Sequence, residues 1–179
     1  MIPPFNIPGL DDAIGAAGQS VIYSEDHAGV GAWAFSDLLA VQAVIDGYTV
    51  DDAKTWLKSQ LRIVVTDQYD KGVLLSYGAS PSQHEANGWL LKEAQALAYQ
   101  AWLTLGGNGE PPATTKIDPR VTGNNPLETE ITAVLAKAAA LHGLEDAINA
   151  WAQAKKDLIN SALTFDELAA IDIYSGAPV

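Results

Sequence analysis

From Asp37 onward, apolar residues recur every three or four positions, the spacing of helices with one buried side. DLLAVQAVID places Leu38, Val41 and Ile45 on one side of a first helix, with Gly47 as its stop. Thr49 opens a second helix: its side chain can cap the end while Asp52 reaches back. Asp51 and Asp52 also suit the positive end of the helix dipole. Trp56, Leu57, Leu61, Val64 and Val65 are its apolar positions, and it is expected to reach about Gly72. A third helix starts at SPSQ, with Ser80 as cap, Pro81 where a missing N–H costs nothing, and Gln83 completing a capping box.

Asn125-Pro126-Leu127-Glu128 repeats that logic of cap, proline and acid. Its helix carries Leu127, Ile131, Val134, Ala138, Leu141, Leu144, Ile148, Trp151, Leu158 and Ala162. The short step from Leu141 to Leu144, beside Gly143, is either a break between two helices or a local overwinding of a coiled-coil seam. His142 and Gly143, both at home at a helix end, favour the break. Thr164-Phe165-Asp166-Glu167 is a further capping box, starting a short helix to about Ile171.

The third helix carries two apolar rows. Leu90, Leu91, Ala94, Leu97, Ala98, Ala101 and Leu105 form one broad stripe. Trp89, Ala96 and Leu103, spaced by seven, form a second on the far side, with Tyr99 beside them. A helix apolar on two sides is packed on two sides. The second row is therefore expected to meet another helix layer or another chain.

Residues 1–35 have a different character, rich in Gly, Pro and small side chains. PPFNIPG reads as an extended arm, since proline biases its predecessor away from helix. Pro3, Pro4, Phe5 and Ile7 are its expected docking contacts, on another part of the protein or on a partner chain. SVIY and AWAF read as two short strands joined by a turn. The connection LGGNGEPPATTKIDPRVTGNNP, residues 105–126, is long for a compact domain and suits a binding loop or a passive strap equally. The predicted fold is thus mainly α, an antiparallel bundle or hairpin of long helices with an extended or small β amino-terminal arm. Residues 1–48 would form the arm and a short helix, and residues 49–179 the helical domain.

Composition narrows the function more than the fold. A chain of 179 residues with 48% hydrophobic content suits one domain, or one domain with an appendage. No apolar run is long enough to cross a bilayer, and MIPPFNIPGLDD does not read as a signal peptide. The absence of cysteine removes disulfides, thiolate nucleophiles and cysteine-based zinc sites. A net charge of −12 argues against nucleic acid, which needs clustered Lys and Arg. No Lys or Arg precedes Lys54, and the bland reading of that acidic segment is a solvated surface.

Candidate chemistry is sparse. Glu25-Asp26-His27, His84-Glu85 and His142 lack the spacing that sets two imidazoles on one helical face, so no metal or cofactor is expected. Asp11/Asp12 and Asp51/Asp52 point about 100° apart on a helix and do not converge like a glycosidase pair. No serine sits in a Gly-x-Ser-x-Gly turn, and GGNG at residues 106–109 lacks the lysine of a phosphate loop. Trp33, Trp56, Trp89, Trp102 and Trp151 read as core and interface aromatics rather than a sugar-stacking surface, with Trp33 the exception to watch.

One resemblance covers residues 50–172. Glu85, Trp89, Glu93, Ala94 and Ala96 form an E-x-x-x-W-x-x-x-E-A-x-A core, followed by a proline-containing loop. A long helix then carries Ile131 and a Lys137-Ala138 pair, and Ile159, Ala162, Thr164, Glu167 and Leu168 close the pattern. In that order and spacing they resemble the helical carboxy-terminal domain of phage tail-fibre and tail-fibre assembly proteins. The resemblance implies a non-enzymatic virion protein of the tail, partnered by other phage tail proteins. The second apolar row adds copies of itself as an expected partner, and charge and hydropathy leave out nucleic acid and membrane. The resemblance leaves open a fibre-assembly chaperone or a glycan-binding tail-tip protein, and it brings no catalytic residues. The amino-terminal arm departs from the β-rich segments of such fibres.

Overall fold

Acids at the start of a short apolar segment favour a helix inside the amino-terminal arm. In the computed structural model, which describes residues 7–25, 31–77, 83–117 and 126–179, α1 (Leu10–Ala16) begins with Asp11 and Asp12 in its first turn. It buries Leu10 and Ile14, one turn apart. No helix was expected before Asp37; the i, i+4 pair of Leu10 and Ile14, with the two acids between them, is the signal for α1. The rest of the chain is mainly α: β1 (Val21–Glu25), β2 (Gly31–Phe35), α2 (Leu38–Gly47), α3 (Val50–Tyr77), α4 (Gln83–Thr104), α5 (Pro126–Ser161) and α6 (Phe165–Ala169). β1 and β2 pair antiparallel from Val21↔Phe35 to Glu25↔Gly31, the two strands expected around the turn.

The chain divides into two compact units, Met1–Thr66 with Ala150–Ala177, and Asp67–Asn149 with Pro178–Val179. Both divisions fall inside α3 and α5, not at the expected boundary of 48 and 49. In the first unit the arm is tied to the start of α3, which is why no division occurs there. The Tyr48 hydroxyl donates to the Pro8 carbonyl at 2.8 Å, and the Trp56 indole N–H donates to Asp12 at 2.5 Å. Gly9 passes so close that a Cβ there would lie 2.3 Å from Trp56 Cγ, and its φ of 79° is one that side chains other than glycine resist.

Two apolar clusters fill this unit. Leu10, Ile14 and Val41 form one, with Ile7, Phe35 and Ile45 against it. Ala53, Leu57, Leu61 and Val64 of α3 meet Ile159, Ala162, Leu168 and Ile173 in the other. Leu38, expected to face inward, is exposed, because α2 turns Val41 to α1. Two of the three capping boxes read from sequence are present among the described residues. Thr49 and Asp52 bond reciprocally, and so do Thr164 and Glu167. The hydrogen bonds from Thr49 hold the Asp52 carboxyl below its ordinary pKa. The stabilisation from that charged acceptor is present above the ordinary carboxylate range and fades as pH falls through the lowered value. Ser80, Pro81 and Asn125, read as starts of the next two helices, lie outside the described residues; α5 opens on Pro126 as expected.

In the second unit, the end of α3 runs antiparallel to α5. Tyr69 donates to Asn149 at 2.8 Å, while Gly72, farther along α3, lies against Leu144, earlier in α5. Gly72 does not stop its helix. It is buried, and a Cβ there would meet Leu144 Cδ2 at 2.6 Å, so the missing side chain serves close approach. Gly143 is likewise no break, and α5 runs unbroken for 36 residues. Nothing lies within 4 Å of a Cβ placed on Gly143, and helix-favouring Ala, Leu and Glu surround it. Beyond Trp151 the buried line passes through Ala152, Ile159 and Ala162, leaving Leu158 exposed.

The two kinds of glycine separate in thermal melts. Gly143→Ala, in open helix, is expected to stabilise by about 0.5–1 kcal/mol and raise Tm by roughly 2–4 °C. Gly9→Ala should lower Tm by a larger amount, since it adds both a clash and a strained φ.

Candidate interaction surface

Where α4 and α5 meet, the inward side of α4 is set by Ala96 and Tyr99. Both are buried in a cluster with Ile117, Ile131 and Val134. Ala96 has no accessible surface, and its small side chain lets α5 approach closely. Tyr99 packs at 5.3 Å, ring to ring, against Trp102. Residues 105–117 are drawn onto the same side. Gln95 accepts the Lys116 N–H at 2.9 Å and donates to Thr115, Ile117 inserts into the cluster, and Trp102 donates to the Asn108 carbonyl. This part of the long connection is a strap; residues 118–125 lie outside the described residues.

These observations reverse the expected roles of the two rows. Ala96 and Tyr99, assigned to a partner, are enclosed by their own chain. Trp89 is half-buried, and Leu103, at the end of the row, is exposed. Pro3, Pro4 and Phe5 lie outside the described residues, and Ile7 is half-buried against the cluster of Leu10, Ile14 and Val41. The broad stripe, expected to be packed, is in water. Leu90 is 68% exposed, Leu91 44%, Leu97 51% and Leu105 83%, and Ala94, Ala98 and Ala101 between them are exposed too. On a helical projection these seven residues fill an arc of about 120° with no charged residue inside it. Single exposed leucines are ordinary, but a contiguous apolar surface marks an interaction site. The overlooked signal was the polar handles on Gln95 and Trp102: a helix that anchors a strap is covered on that side.

The polar chemistry nearby is modest. Trp89, Lys92, Ile117, Glu130, Ala133, Val134 and Lys137 line a hollow of about 100 Å³, with Lys92 Nζ 4.4 Å and Lys137 Nζ 5.8 Å from the indole centroid. His142, read as a helix-end residue, sits inside α5 with its imidazole 3.6 Å from the Glu93 carboxylate. The Asp11 carboxyl is pushed up by burial and then by Asp12, whose own carboxylate receives the Trp56 indole. Among the described residues, no three His, Asp or Glu side chains gather as metal ligands, and no buried side-chain polar atom lacks a partner. Nor is any helix among them long and apolar enough to cross a membrane. No protein-family model, curated protein or solved structure matches the chain.

The two flanks of α4 should respond oppositely to polar substitution. Ala96→Asp buries an unpaired carboxylate and is expected to cost about 3 kcal/mol or more, read as a large fall in Tm. Leu90→Gln with Leu97→Gln should leave helix content and Tm nearly unchanged, within about 0.5 kcal/mol.

Proposed function

We propose that this chain is a non-enzymatic structural component of a bacteriophage tail that works through protein–protein contact. The observation that carries the contact reading is the uncharged leucine and alanine stripe on the outer side of α4, exposed over its whole length. Such a surface in water favours association by removing apolar area from solvent. The resemblance of residues 50–172 to the helical domain of tail-fibre and fibre-assembly proteins supplies the tail as the setting. Its partners are then other tail proteins, and its place is the virion. Mass spectrometry of purified particles is expected to find the protein at a fixed ratio to known tail components. Its absence there, with presence in infected cells, would replace the resident role by that of an assembly chaperone.

The hollow beside Trp89 favours a second reading, a tail-tip protein that binds glycan. An indole with two lysines beside it suits a sugar bearing a carboxylate or sulfate. Titration with uronic-acid oligosaccharides should then quench tryptophan fluorescence, and Lys92→Met with Lys137→Met should abolish the change. No response to any acidic sugar would discard this reading.

A further inference from the structure

We infer that Asn108 is a site of spontaneous deamidation, in which the Gly109 amide nitrogen displaces ammonia from the Asn108 side chain. Asparagine followed by glycine is the pair in which this ring closure meets least obstruction, because glycine sets no side chain beside the attacking nitrogen. The chain contains two such pairs, Asn87-Gly88 and Asn108-Gly109. The structure separates them. Gly88 lies inside α4, where amides are turned into the helix's own hydrogen bonds and the backbone is held at helical angles. Asn108-Gly109 lies beyond the end of the helix, in the turn that leads into the strap, and both residues are exposed.

The end of α4 sets Asn108 in place. Gly106 donates to the Leu103 carbonyl at 3.0 Å and Gly107 to the Trp102 carbonyl at 3.0 Å, a Schellman closure in which Gly106 has a φ of 98°. The Trp102 indole N–H then donates to the Asn108 carbonyl at 3.1 Å. The two reacting groups are left out of this network. Among the described residues, neither the Asn108 carboxamide nor the Gly109 N–H has a hydrogen-bond partner. Nothing lies within 4 Å of a Cβ placed on Gly109, so water and hydroxide reach the nitrogen and the ring has room to close. The carboxamide lies over Gly106, 3.3 Å from a Cβ placed there, and turns toward Gly109 by rotation about its own side-chain bonds.

Loss of its proton to hydroxide makes the Gly109 nitrogen a nucleophile. It forms a bond to Asn108 Cγ while the Cγ–Nδ2 bond breaks, and the leaving nitrogen takes a proton from water and departs as ammonia. The product is a succinimide ring, which water opens at either carbonyl. Attack at Cγ breaks the new bond and gives aspartate in an ordinary chain. Attack at the backbone carbonyl breaks the original peptide bond and gives isoaspartate, whose chain runs through the side chain. The sum is water consumed and ammonia released, with nothing oxidised or reduced. Either product adds a carboxylate to a chain whose formal charge is already −12.

The isoaspartate form alters the strap. Its extra backbone carbon falls between the Trp102–Asn108 tie and the contacts that Thr115, Lys116 and Ile117 make on α4. Pro111 and Pro112 stand in that interval and stiffen it, so the added length is passed on rather than absorbed. The former Asn108 carbonyl becomes one arm of a free carboxylate, a stronger acceptor for the Trp102 N–H. The tie to α4 tightens while the strap beyond it shifts, and the hydrogen bond from Lys116 to Gln95 loosens.

The test is to age the full chain in mildly acidic and mildly alkaline buffer and follow its peptides by mass spectrometry. Residue 108 is expected to convert to a mixture of aspartate and isoaspartate, faster in alkali, with labelling by isoaspartyl methyltransferase rising in step. Asn87 should remain an amide throughout. Asn108→Ser, which keeps the carbonyl that Trp102 uses, should abolish both products at that position. In aged protein the Lys116 amide should exchange with solvent faster. In freshly purified Asn108→Asp, which adds the charge on an ordinary backbone, that exchange should be unchanged. An Asn108 that survives in the folded chain yet converts in denaturant is protected by its turn, which overturns the proposal. Conversion of Asn87 at an equal or greater rate overturns it too. Isoaspartate formed with no change in Lys116 exchange overturns the effect on the strap.

Discussion

A helix is a cylinder about 10 Å across, and a neighbour on one flank leaves the opposite flank in water. That constraint governs α4, whose inward line of Ala96 and Tyr99 is closed by α5 and by Ile117 of the strap. The choice of inner flank follows from shape more than from greasiness. Ala96 removes bulk where two helices approach, and Tyr99 and Trp102 offer flat rings to the strap, whereas the leucines opposite would hold a neighbour off. Burial of the more leucine-rich side would also strand the Gln95 amide and the Trp102 N–H, which now serve Thr115, Lys116 and Asn108.

The same use of aromatic side chains recurs in the other unit. Trp56 packs beside Gly9 and donates to Asp12, and Trp151 donates to the Ser175 carbonyl at 3.0 Å. Lys155 reinforces that tail by donating to the Asp172 carbonyl and the Ser175 hydroxyl, both at 2.7 Å. Each indole thus contributes an apolar body to a seam and a single N–H that ties down a separate segment, α1 for Trp56 and the carboxy-terminal residues for Trp151. An indole committed in both ways is poorly placed to stack on a sugar. Trp89, by contrast, lines a hollow together with lysines.

Several local signals in the sequence were read correctly where neighbouring residues decide the outcome. The boxes at Thr49 and Thr164, the paired strands around residues 21–35 and the core positions Leu57, Leu61 and Val64 are of this kind. What could not be read was any feature decided by a distant partner. Gly72 and Gly143 look alike in sequence, yet one is held against Leu144 and the other faces open space. Periodicity gave α4 two apolar rows without saying which would find a neighbour within the chain, and Ala96 and Tyr99, expected to meet a partner, are enclosed by the chain itself. Proline and glycine dominate the arm and obscured α1, although Leu10 and Ile14 stand at helical spacing with two acids between them.

The acidity of the chain gives the exposed stripe its selectivity. Twenty-two carboxylate residues against ten basic ones make most approaches by another acidic surface unfavourable. The outer side of α4 lacks that barrier, because its arc holds only leucine, alanine and, at the margin, threonine. Repulsion elsewhere would act as a filter on any contact made there, removing competing orientations without strengthening the contact itself.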